Sequence, residues 1–172
     1  MDDWRENIRF FYSAERADKG FWYSRPFDEA YGLTEEQLFW IPNPRSLCIL
    51  WHVGHIAHRE RSHLGVFCQG LPPSIIPAKF EVFGPDWHSV EEIRASVESV
   101  DEVFAWVREV RSESRRFIDS LSDDDMQRVP EFPEDKLTIT QWLIITAAHT
   151  ALHIGRIQLL RALIEGGEER AC

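Results

Sequence analysis

Residues 138–167 read TITQWLIITAAHTALHIGRIQLLRALIEGG. Thr138 with Gln141 matches a capping box, in which a hydroxyl and a side-chain amide satisfy the backbone N–H groups a helix start leaves open. Gly166-Gly167 supplies the stop, and no proline intervenes. The spacing predicts one helix of roughly 28 residues, about 42 Å long at 1.5 Å per residue. His149 and His153 stand four apart inside it, so they share a face. Their neighbours are Ala147, Ala148, Ala151 and Leu152, with Gly155 next. Two imidazoles on an apolar face need partners inside a bundle. Carbonyls, a carboxylate, or a metal completed by a third ligand would each serve.

Outward from this helix the periodicity stays helical. Trp4, Ile8, Phe11 and Trp22 mark a first segment from Asp3 towards Gly20. Thr34 with Gln37 opens a short helix ending near Trp40. A long segment follows from Arg45 to Gln69, with Pro44 in its first turn and Gly70 as its stop. Ser89 with Glu92 and Ser99 with Glu102 repeat the capping box. Val100, Val103, Val107, Val110, Phe117 and Leu121 then form an amphipathic stripe. Residues 70–88 carry Pro72, Pro73, Pro77 and Pro85 and read as a loop, a second loop carries Pro130 and Pro133, and the connections over 70–98 and 122–137 are too long for tight hairpins. No run alternates in the manner of a strand. The expected fold is all-α: a four-helix bundle with a crossover connection and short extra helices, one domain over residues 1–172.

Composition agrees. The chain has 44% hydrophobic and 28% charged residues, which suits a packed core rather than disorder. Seven Trp and eleven Phe need an interior or a partner surface. A formal charge of -10 argues against nucleic acid, which demands clustered positive potential. Leu137 to Ile157 is interrupted by Thr, Gln and His and closed by Arg156, so no membrane span is expected. Cys48, Cys68 and Cys172 have no disulfide-framework spacing, and no apolar leader is visible; both point to the cytoplasm.

Four further histidines lie on the second long helix. There Trp51, His55, Arg59 and Ser62 form a stripe, His52 lies close to it, and Gly54 permits close helix approach. His58 and His63, beside Arg59, Glu60 and Arg61, are expected on a solvated face. His88 stands apart in the loop. A thermolysin-type H-E-x-x-H fails because Thr150 follows His149. A ferritin-like di-iron set fails because Glu60-x-x-His63 is its only Glu-x-x-His motif. No Cys-x-x-Cys pair or phosphate loop occurs.

Trp51-His52-Val53-Gly54-His55-Ile56-Ala57, followed about ninety residues later by His149-Thr150-Ala151-Leu152-His153-Ile154-Gly155-Arg156, resembles the DinB-like superfamily. Leu33 to Leu38, ahead of Trp40, resembles the family's short helix before the second long one. The resemblance implies a four-helix bundle, typically homodimeric, with a three-histidine metal site. It places the ligands at His55, His149 and His153. Relatives named by it include bacillithiol S-transferases, mycothiol-dependent maleylpyruvate isomerases and the bundle domain of ergothioneine synthases.

Three neutral imidazoles suit zinc, nickel or iron as a divalent ion and leave positions open for a substrate. The leading expectation is a metal-dependent enzyme that activates a low-molecular-weight thiol for S-transfer to a small-molecule electrophile. His52, Arg59 and Arg156 are candidates for the catalytic groups, the arginines as holders of a substrate carboxylate. The alternatives are a metal-dependent hydrolase, with His52 or Glu60 as base, and a non-catalytic metal- or ligand-binding bundle.

Overall fold

A computed structural model describes residues 4–18, 20–133 and 135–169 of the chain. The helices are α1 (Trp4–Arg9), α2 (Pro26–Ala30), α3 (Glu35–Phe39), α4 (Ile49–Glu60), α5 (Val90–Ser96), α6 (Val100–Ser120) and α7 (Ile139–Glu169). Short 3₁₀ turns link several of them, and no strand occurs among the described residues. The fold is an all-helical bundle.

Its centre is α4, against which α3, α6 and α7 all pack. Ile49, Leu50, Val53 and Ile56 are almost completely buried. At about 1.5–3 kcal/mol for each such side chain, this helix anchors the fold. Beyond Glu60 the same rod continues as a π-helix over Arg61–Cys68 and closes at Gly70, whose φ of +69° suits glycine. It begins at Ile49, with Cys48 as its cap residue, so Pro44 lies before the helix rather than in its first turn.

The expected first long helix is broken. Asp3 and Lys19 lie outside the described residues, and the helical part ends at Arg9. The chain then turns back, with Phe21 N donating to Phe10 O at 2.8 Å. A Cβ on Gly20 would stand 1.7 Å from Ser13 Oγ, so only glycine permits this reversal. Asp18 Oδ2 accepts from Ala14 N and competes locally with helix propagation.

The loop at 70–88 is likewise more than a connection. Its Ala78–Phe83 turn packs on α4, and Phe80 stacks on Trp106 of α6 with ring centroids 4.2 Å apart. Thr138 and Gln141 form the expected reciprocal cap at the start of α7. The helix passes through Gly166-Gly167 to Glu169.

By length and composition, residues Ile139–Gly166 are apolar enough to cross a membrane, more so than the interrupted sequence indicated. One face, including Ile139, Leu143, Ile154 and Ile157, is packed into the core. The other exposes Ile144, Ile145, Leu152, Leu159 and Leu163.

Candidate metal centre

The pairing of α4 with α7 brings His55, His149 and His153 together. One ring nitrogen from each lies within 4.8 Å of the others. The ring centroids of His55 are 5.1 Å from His149 and 4.7 Å from His153. His55 and His153 are buried, whereas His149 is part-exposed and forms the open side.

Each imidazole has a distinct setting. His55 Nδ1 lies 2.7 Å from the Phe83 carbonyl, which can only accept, so Nδ1 carries the proton and Nε2 keeps its lone pair. Trp51 stacks on the same ring at 4.3 Å, and its own Nε1 donates to Val82 O at 3.1 Å. Gly54 makes this approach possible, because a Cβ there would lie 2.5 Å from the Phe83 ring. His153 Nδ1 faces His52 Nδ1 at 2.9 Å. His149 Nδ1 is buried without a hydrogen-bond partner among the described residues.

Burial holds all of these rings neutral. Desolvation is the largest cause in each case, pushing His55 and His149 down to about 4, His52 to about 3 and His153 to about 2. Arg59 lowers His55 and His149 further, while Arg156 lowers His52, His149 and His153. A neutral imidazole with a free lone pair is the form that binds a metal. The donor set therefore fits a divalent ion: three neutral nitrogens converge, two rings are oriented through their other nitrogen, and the third has a buried nitrogen without a partner.

His58 and His63 are not on a solvated face. Both are buried, because the 78–83 turn covers one side of α4 and α7 covers another. His58 Nε2 lies 3.1 Å from Glu81 Oε2, and His63 Nδ1 lies 2.9 Å from Thr146 Oγ1. His88 is a surface residue 3.7 Å from Glu92.

Glu60, a candidate base, is fully buried and turned to Arg111 of α6, with Oε2 and Nε 3.0 Å apart. Arg111 also donates to Thr150 Oγ1 and to the Phe11 carbonyl. Arg59 is part-buried and Arg156 exposed, and neither has an ion-pair or hydrogen-bond partner among the described residues.

The sequence reading missed the Phe83 carbonyl and the Glu60–Arg111 pair. Signals for both exist: aromatic Phe80 and Phe83 are costly in a solvated loop, and Arg111 falls within the apolar stripe of α6.

Comparison with curated proteins gives no match. The sequence model of the DinB superfamily matches residues 28–157, a stretch that spans α2 to the middle of α7 and contains both histidine clusters. Most of the chain lies within that match, and the protein belongs to the DinB superfamily.

Proposed function

We propose that His55, His149 and His153 hold one divalent metal ion (zinc, nickel or iron) and that the protein is a metal-dependent, low-molecular-weight-thiol S-transferase. The observation that carries this reading is the convergence of three neutral imidazole nitrogens within 4.8 Å, open on the His149 side. A structural zinc site is normally closed by four protein ligands, so three histidines favour an open position for substrate. A bound ion would lower the pKa of a thiol held there.

The chain's own residues supply the rest. Phe83 O and His52 orient two of the ligand rings, and Trp51 stacked on His55 walls the site from water. A thiol transferase also needs little further acid–base machinery once the thiolate exists. The hydrolase alternative is weaker because Glu60 is committed to Arg111, which leaves His52 as its only candidate base. A non-catalytic binding bundle stays as the outcome when metal is present without turnover.

The same proposal includes a single-domain, cytoplasmic homodimer. The exposed apolar face of α7 supports the pairing, with Leu152 at 54% and Leu159 at 62% exposure. Patches of this kind usually mark interfaces, and two-fold pairing is the commonest symmetry. Light scattering at micromolar concentration should give twice the chain mass, and Leu152→Lys with Leu159→Lys should halve it.

The central test is elemental analysis of untagged protein, followed by conjugation of a generic electrophile with bacillithiol, mycothiol, glutathione or coenzyme A. The proposal requires stoichiometric metal and chelator-sensitive, thiol-dependent product. Ester hydrolysis without thiol would favour the hydrolase, and metal without turnover the binding role.

A further inference from the structure

A cavity lies on the other side of α7. Ala147 and Ala151 each precede a proposed ligand histidine by two residues, about 200° of rotation, so they face away from the metal centre. Together with Ala148 they floor a space of about 280 Å³. Phe11, Phe21 and Tyr23, from the N-terminal segment, line the opposite wall. The reversal at Gly20, where a Cβ would strike Ser13, brings Phe21 back to Phe10. The Phe21 ring then meets Phe11 at 5.9 Å and Tyr23 at 5.5 Å between centroids.

Most polar side chains of the lining are already used. Tyr12 Oη donates to Leu143 O at 2.7 Å, and Ser24 Oγ donates to Phe21 O at 2.6 Å. Only the Tyr23 hydroxyl has no hydrogen-bond partner among the described residues. A water needs about two to four polar partners, so the space is poorly hydrated. A polypeptide would bring unpaired N–H and C=O groups into it, and a charged molecule would lose its hydration there. Aromatic walls instead favour edge and face contacts with another ring. Phe11 and Ile144, 40% and 57% exposed, also line the cavity and mark where it opens to a ligand.

We infer that this cavity binds a small, neutral aromatic molecule of one or two rings, at a site separate from the metal centre. Its volume matches the lower end of ligand pockets, which run from about 300 to 1,000 Å³. The inference rests on neither the metal nor thiol transfer.

Calorimetric titration with indole, and with indole-2-carboxylate as its charged counterpart, tests the chemistry. Indole should bind at least about tenfold tighter, because the carboxylate loses hydration without gaining a partner. The position is read in the parent protein from ¹³C-labelled alanine methyl resonances. Indole ring currents should shift Ala147, Ala148 and Ala151 and leave Ala57, buried on α4, in place. Ala151→Leu fills the cavity and should weaken indole at least about tenfold, with a cooperative melt showing the fold intact. No binding, equal affinity for both probes, shifts confined to other alanines, or unchanged affinity in a folded Ala151→Leu protein would overturn the site. An indole affinity that rises on dilution to monomer would also overturn it, because a side chain of a second copy would then be the occupant.

Discussion

His52 Nδ1 lies 2.9 Å from His153 Nδ1, an imidazole-to-imidazole hydrogen bond between α4 and α7. One proton lies between two nitrogens, so one ring donates and the other accepts. If His153 offers Nε2 to a metal, its Nδ1 must carry the proton and His52 must accept it. His52→Ala removes that acceptor without touching a proposed ligand. Metal affinity, measured by competition with a chelating dye, should fall about 10–100-fold. His52→Asn, which keeps an acceptor, should lose less, and equal losses in both variants would argue against orientation by hydrogen bonding.

Gly54 tests the other oriented ring. A Cβ there would meet the Phe83 ring at 2.5 Å, and Phe83 is fully buried with no easy way to give. Gly54→Ala gains up to about 1 kcal/mol in helix propensity, but overpacking costs about 1–3 kcal/mol. Displacing Phe83 also moves the carbonyl that fixes His55. Thermal melting by circular dichroism should show a lower midpoint, together with weaker metal retention. A variant more stable than the parent would mean that the 78–83 turn yields freely.

The buried pair Glu60–Arg111 ties α4 to α6, and Arg111 reaches Thr150 beside His149. Removing one partner leaves an uncompensated buried charge, at a cost of about 3–5 kcal/mol. Glu60→Ala should therefore lower urea stability severely. The double change Glu60→Met, Arg111→Met should recover much of that loss, since well-packed apolar residues often replace a buried pair at little cost. A double variant no better than the single one would locate the damage in packing.

What was legible in the sequence is what local chemistry determines. The boxes at Ser89 and Thr138 formed as read, and Thr34, read as a helix start, forms another with Gln37, because a hydroxyl and its partner three residues on need nothing from the rest of the fold. Ser99 caps Glu102 N, but the Glu102 carboxylate goes to Glu98 N and Lys79 instead of completing the box. The convergence of His55 with His149 and His153 was legible through the resemblance and the i,i+4 spacing. The burial of His58 and His63 was not. It depends on residues 78–83 returning to cover α4, a long-range contact that periodicity within one helix cannot reveal.

The last prediction follows from the neutral rings. His52, His55, His63, His149 and His153 are pushed by burial to between about 2 and about 4, whereas free histidine titrates near about 6.5. Below about pH 6.5 the unfolded chain therefore binds protons that the folded chain refuses. Stability rises with pH wherever the unfolded state holds more protons, so it must fall as the pH drops from 6.5 towards the folded values. Glu60, raised by burial, opposes this, but it is one carboxyl against five imidazoles. Each extra proton contributes a slope of about 1.4 kcal/mol per pH unit. Urea denaturation of metal-free protein at a series of pH values should give a slope equivalent to more than one proton between about pH 6 and 5. His63→Leu, which leaves the three proposed ligands in place, should flatten it by part of one proton. A profile flat across that interval would mean that the rings are already protonated in the fold, and the neutral, metal-ready cluster would have to be abandoned.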